Sequence, residues 1–190
     1  MVHCLYLPSC ANSSPPPVTY HDDVTVVRDL VTTLVNKGER ILMIFYSYGG
    51  AGLDLPSRVV SNFPGGIIYL LYMSVYIQQL GRSIWDDNGS TFHVDSVQLF
   101  LGDCDEARVA TVLSHQVRSL LSVFETPSSG DSWRRLPVMY DTMTKDYSVS
   151  RVYQDIMLKY VKEGGWSVVI LRQEVMLVLV EKVVLDARNP

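Results

Sequence analysis

The segment ILMIFYSYGGAGL, residues 41–53, carries an apolar run straight into a serine that is flanked by tyrosines and followed by two glycines. Its beginning, within RILMIF at 40–45, is apolar at every position after Arg40. A strand of a parallel sheet reads this way when helices cover both of its faces. The continuation is one residue away from G-x-S-x-G, with Phe45 where the first glycine would stand and Gly49 in the place of the second. That pattern encodes a sharp strand-to-helix turn that lifts a serine hydroxyl to the rim of the sheet. On this reading Ser47 holds a nucleophile position, and the N–H groups after it, starting with that of Tyr48, face a developing oxyanion. The plain alternative is a serine in an ordinary βα loop.

Working outward, YHDDVTVVRDLVTTLVNKGER at 20–40 has the period of an amphipathic helix. Asp22 and Asp23 suit its N-terminus, Val24, Val27, Leu30, Val31 and Leu34 form its apolar face, and Gly38 is placed to end it. VHCLYL at 2–7 reads as a short buried strand ahead of the Pro/Ser/Asn-rich loop PSCANSSPPP. Further strand signals lie in GGIIYLLYMS at 65–74, LPVMYDTMT at 136–144 and WSVVIL at 166–171. Helical spacing marks DEARVATVLSHQVRSLLSVF at 105–124, SVSRVYQDIMLKYVKEGG at 148–165 and EVMLVLVEKVVLDAR at 174–188. Strands alternating with helices predict an α/β domain. Residues 78–134 hold no convincing strand and follow a sheet strand, so they are expected to form a helical cap over the ligand-binding end.

The totals narrow the function. A chain of 190 residues, 47% apolar, is expected to form one domain. Its formal net charge of -4 and the lack of a Lys/Arg stripe argue against nucleic acid or an anionic membrane as partner. The most apolar run, IIYLLYMSVYI at 67–77, is shorter than the ~20 residues a membrane-spanning helix needs. No signal peptide is apparent, and Cys4, Cys10 and Cys104 have neither disulfide-framework nor zinc spacing. A cytoplasmic protein with reduced thiols is expected. The acidic clusters Asp86-Asp87 and Asp103, Asp105, Glu106 lack metal-loop spacing, and no glycine-rich nucleotide motif occurs. The sequence therefore predicts no metal and no cofactor, and a small molecule as partner.

Taken together, YHDDVTVVRDLVTTLVNKGERILMIFYSYGG, IIYLLYMSVYI, FLGDCDEA, SWRRLPVMYDTMTKDYSVS and VMLVLVEKVV resemble the serine α/β-hydrolases of fungal and bacterial secondary metabolism. The order and spacing of these blocks, from about residue 2 to 185, make the resemblance more specific than the serine turn alone. It implies a truncated, three-layer α/β-hydrolase-like fold with a mostly parallel sheet of about five strands. The family's M-H-S-Y-G-G block implies Ser47 as the nucleophile position. TKDYSVS at 144–150 matches a segment of the E-K-D-x-A-I-P type, which implies Asp146 as the acid. The family's histidine, in an ending of the H-S-P-M-L-V-L-P-E-K-V-V type, is replaced here by Gln173, with Glu174 beside it. None of His3, His21, His93 and His115 follows Asp146, and only His93 in the cap is a candidate substitute base.

The resemblance also implies that VHCLYLPS corresponds to the family's fourth strand, so that the segment supplying the second oxyanion N–H has no counterpart in this chain. VHCLYL is then expected to slide beside the Ser47 strand or to leave an edge through which two copies pair as a homodimer. Tyr46, Tyr48 and Trp85 are expected to line an apolar cavity. Three functions follow: a degenerate hydrolase-like enzyme performing a cyclisation, cycloaddition or isomerisation on an apolar polyketide- or terpenoid-like substrate, a residual serine esterase or lactonase, or a noncatalytic small-molecule binder.

Overall fold

A computed structural model describes residues 1–10, 17–50, 64–88, 97, 101, 104–114 and 120–173. The elements in chain order are α1 (Tyr20–Asn36), β1 (Arg40–Ser47), β2 (Gly66–Val75), α2 (Ile84–Asn88), α3 (Glu106–Ser114), α4 (Ser122–Glu125), β3 (Val138–Met143), α5 (Arg151–Glu163) and β4 (Val168–Gln173). The four strands form one sheet in the order β1-β2-β3-β4, and every pair is parallel. All four C-terminal ends therefore lie on one side, with Ser47 and Gln173 ending the two outer strands.

α1 begins where its acids sit. Asp22 accepts from Thr19 N at 2.7 Å and Thr19 Oγ1 at 2.9 Å, which holds its carboxyl below the usual range and closes the first turn. The helix ends at Gly38, whose φ of +81° is a left-handed conformation that side chains disfavour. Tyr20, Val24, Val27, Val31 and Val35 are buried against the sheet, whereas Leu30 and Leu34 are only half-buried. α5 packs on the same face through Met157, Leu158 and Val161, meeting Leu70, Tyr72, Val138 and Tyr140. This is the main core. The opposite sheet face gathers Leu71, Met73 and Met143 with Leu42, Met139 and Leu171.

Two expectations are corrected. Residues 2–7 are not a strand: Val2, Leu5 and Tyr6 are exposed, and the chain turns at Leu7–Cys10 with Cys10 N on Leu7 O at 2.9 Å. The reason is the anchor that follows, where Ser9 is bound to Asp23 at the start of α1. A strand-prone segment becomes a strand only where a ladder is offered to it. The sheet accordingly has four strands among the described residues instead of about five, and β1 is its edge. Nor is β1 covered on both faces, since Ile44 is 47% exposed and Tyr46 50% exposed. The helix expected over 105–124 appears as α3 and α4, with 115–119 outside the described residues, as is the helix expected over 174–188.

The segment 78–134 has no strand among its described residues, and its two ends are joined. Gly81 N donates to Ser128 O at 3.0 Å, Ser128 N to Arg82 O at 2.8 Å, and Trp133 Nε1 to Gln78 O at 3.1 Å. Arg134 then lies over the rings of Trp133 and Trp166, 5.1 and 4.5 Å from their centroids, fastening this end to the start of β4.

One buried carboxyl stands out on the second sheet face. Asp141, between Met73 of β2 and Leu171 of β4, is 0% exposed, and neither of its oxygens has a hydrogen-bond partner among the described residues. Burial pushes it up to about 6. Between about pH 4 and 6 the folded chain then holds a proton that the unfolded chain has released, so stability falls as pH rises through that window. Asp141→Asn is expected to raise stability at pH 7.5 by roughly 2–3 kcal/mol and to change it little at pH 4, as read by urea denaturation at both values.

Candidate active site

The serine turn is strained where the sequence pattern requires it to be. Ser47 has φ +50°, the left-handed region that a non-glycine residue occupies at a penalty of about 1–3 kcal/mol unless its surroundings impose it. A short 3-10 turn, Tyr48–Gly50, follows. Three neighbours impose the turn. Phe45, at the missing glycine position, is buried against Tyr72 with ring centroids 4.9 Å apart. A Cβ on Gly50 would meet Val75 Cγ2 and, at 2.5 Å, Tyr76 O, so only glycine lets the turn lie this close to the end of β2. Tyr48 donates its hydroxyl to Asp23 Oδ2 at 2.9 Å.

β2 answers the strain with its own. Tyr46 pairs with Met73 but Ser47 pairs with Val75, so Ser74 is the extra residue of a bulge, and its φ is +46°. These two positive-φ serines thus sit beside each other at the ends of neighbouring strands. Val75 is held in turn by Tyr140 of β3, whose hydroxyl donates to Val75 O at 2.8 Å.

Asp23 binds three groups from two residues: Ser9 N at 2.9 Å, Ser9 Oγ at 2.5 Å and the Tyr48 hydroxyl. Burial, then the adjacent Asp23 charge, pushes the Tyr48 phenol far above its ordinary value, so it stays a donor. Tyr48 also stacks near Phe124, centroids 5.5 Å apart. Its side chain is thereby committed to bracing the turn.

Asp146 stands on the loop between β3 and α5. Its Oδ1 accepts from Ser148 N at 2.8 Å and Val149 N at 3.0 Å, while its Oδ2 is buried with no partner among the described residues. Burial raises its carboxyl above the ordinary range against the opposing pull of those N–H groups. Gln154, 0% exposed, fixes the loop from α5: Oε1 accepts Met143 N at 3.1 Å, and Nε2 donates to Met143 O at 3.1 Å and Val149 O at 2.7 Å. The acid loop is therefore rigid, with one carboxylate oxygen left over.

Ser47 ends β1 and Asp146 lies past the end of β3, with β2 between the two strands, two strand spacings or about 10 Å at strand level. No direct hydrogen bond spans such a gap, and a serine–acid pair needs a bridging imidazole to activate the hydroxyl. Gln173 ends β4 opposite Met143, at the same rim. Glu174 and His93 lie outside the described residues, as does His115, while His3 and His21 are exposed. Tyr46 is half-exposed at the turn, and Trp85 is half-buried in α2, whose start is closed by the reciprocal pair Ser83 N to Asp86 Oδ2 and Asp86 N to Ser83 Oγ, 2.8 and 3.0 Å. The described geometry brings Ser47, Tyr46, Asp146 and Gln173 to one end of the sheet.

Asp23, Ser74, Tyr140 and Gln154 were not singled out as site residues by the sequence. Asp23 had a signal: it heads the stripe Asp23, Val27, Val31, where an acid on an apolar face calls for a buried partner. Ser74 had none, because a bulge residue is defined by its neighbour's register.

No protein-family model matches the chain. It is 23% identical over 183 residues to the alpha/beta hydrolase nvfD of Aspergillus novofumigatus (strain IBT 16806), covering 85% of this chain and 72% of that protein. Among solved structures, the methylesterase MES16 from Arabidopsis superposes with TM-score 0.58 at 14% identity, over 90% of this chain and 77% of its own. Polyneuridine aldehyde esterase gives TM-score 0.60 at 13% identity, with 90% and 80% covered. A pyrethroid hydrolase from Sphingobium faniae JZ-2 gives 0.58 at 15%, with 91% and 79% covered.

If the Tyr48–Asp23 bond holds the serine turn to α1, removing the hydroxyl weakens the fold without removing the ring. Tyr48→Phe is expected to lower unfolding free energy by about 1.5–3 kcal/mol, the range for a hydrogen bond to a charged group, measured by chemical denaturation.

Proposed function

The chain carries the α/β-hydrolase fold, and from that premise we propose that it performs a non-hydrolytic step of secondary-metabolite biosynthesis: a cyclisation, cycloaddition or isomerisation of a small apolar polyketide- or terpenoid-like substrate. The observation that carries this reading is a braced serine turn and a rigid acid loop combined with glutamine, rather than histidine, at the end of β4. Glutamine cannot take the serine proton, so the Ser47 hydroxyl is a weak nucleophile but a well-oriented hydrogen-bond donor. A pocket that holds a reactive conformer lowers the barrier of a unimolecular rearrangement without any covalent step. In this scheme Ser47 polarises a substrate carbonyl, and Asp146, Gln173 and Glu174 orient the substrate. Tyr46, Trp85 and His93 line its apolar walls under a cap formed by 78–134, with Tyr48 behind them as the brace.

The second reading is a residual esterase or lactonase, favoured by the strain retained at Ser47 and by the hydrolase names of the similar structures. In it His93 supplies the base. A third reading, a noncatalytic binder, keeps the pocket and drops the chemistry. Cys4, Cys10 and Cys104 form no disulfide, which suits a cytoplasmic setting. Among the described residues no helix is long and apolar enough to cross a membrane. Among the described residues no strand pairs with the outer side of β1, and Ile44 and Tyr46 are exposed, which favours pairing of two copies along that strand.

A fluorophosphonate probe followed by intact mass separates these readings. The expected result is no adduct on folded protein, and turnover of a polyene or lactone substrate to a product of unchanged mass. Rapid labelling that Ser47→Ala abolishes, with products heavier by one water, would establish the esterase; binding without any product would establish the binder. Light scattering that finds a monomer removes the paired state.

A further inference from the structure

A concave site lies away from the serine turn, between α5 and β4. It encloses about 260 Å³ and is lined by Arg151, Asp155, Leu158, Lys159, Lys162 and Arg172, among others. The helix contributes one stripe, because residues three, four and seven apart share a face. The strand contributes Ile170 and Arg172, two apart and hence on the same side of the sheet. Leu158, 3% exposed, and half-buried Ile170 make an apolar floor under a charged rim.

The rim is not balanced. Its lining has four cations and two carboxylates, in a chain whose formal net charge is -4. Both carboxylates are engaged: Asp155 takes Arg151 Nε and Nη2 at 3.0 Å each, and Glu163 Oε1 lies 3.7 Å from Lys159 Nζ. The side chains of Lys162 and Arg172 have no hydrogen bond or ion pair among the described residues, although both still act on Asp155 through space, behind the larger effect of Arg151. A solvated helix face with paired i,i+4 charges would leave no surplus. Here two unpaired cations converge over an apolar floor from two different elements.

We propose that this groove binds a small amphiphilic anion, a phosphate, sulfate or carboxylate head held by Arg172 and Lys162 with a short apolar body on Leu158 and Ile170. Arg172 supplies the planar fork and Lys162 the point charge that such heads accept. The volume is below the 300–1,000 Å³ usual for drug-sized ligands, which fits a compact anion and not a polycyclic substrate. β4 is the sheet edge opposite β1, three strand spacings or about 14 Å from Ser47 at strand level, so this binding is independent of the function proposed above.

The test is isothermal titration of the full chain with octyl phosphate below its micelle-forming concentration, alongside inorganic phosphate and 1-octanol. Octyl phosphate is expected to bind at least tenfold more tightly than either control, to weaken with added salt, and to lose at least tenfold in affinity in Arg172→Glu and in Lys162→Gln. Both side chains are at the surface, and circular dichroism verifies that each variant folds. Equal binding by the variants, equal binding of octanol, or binding that disappears in Ser47→Ala would each overturn the proposal.

Discussion

The Asp23 carboxylate is the junction on which the rest of this structure turns. It receives the N–H and hydroxyl of Ser9 and the hydroxyl of Tyr48, and it sits in the first turn of the helix that packs along the sheet. One buried anion thus fixes where the N-terminal segment ends, where α1 begins and how the chain leaves β1. The charge is tolerable inside because three donors and a helix N-terminus surround it. Without them the same residue would be an uncompensated acid on an apolar face.

From that junction the site is built outward by backbone and amide bonds. The Ser47 turn leans on Gly50 and Val75, Val75 on Tyr140, and the acid loop on Gln154. Each is a tether between neighbouring strands or between a strand and its following helix, so the rim of the sheet behaves as one piece. What this frame presents is a serine at the end of β1 and, past the end of β3, a rigid loop whose acid keeps one oxygen unused among the described residues. Such a frame suits orientation of a bound molecule, because groups already fixed lose little freedom on binding.

The sequence made the repeating elements legible. The all-apolar run at 41–45 and the period of 20–36 each produced the element they predicted, and Gly38 ended the helix as a left-handed cap. Ser47 was legible as well, since a strand ending in Ser-Tyr-Gly-Gly requires a turn that few other arrangements allow. The failure at 2–7 has a physical cause: strand propensity was present, but pairing is a long-range matter and the Ser9–Asp23 anchor directs the chain elsewhere. The extent of burial on β1 was misread for a related reason. An apolar strand looks the same in sequence at an edge and in the middle of a sheet, and only its neighbours distinguish the two. Tyr48 and Tyr140 had their roles set by partners 25 and 65 residues away in the chain, which no local pattern encodes.

The left-handed backbone at Ser47 also has an energetic consequence. Glycine occupies that region without the steric penalty serine bears there, so a replacement by glycine would relieve strain at the turn. The same holds for Ser74 beside it, whose backbone has the same handedness. Two strained serines side by side mark this corner of the sheet as one whose shape is set by its neighbours Gly50, Val75 and Tyr140 and not by the preference of its own backbone.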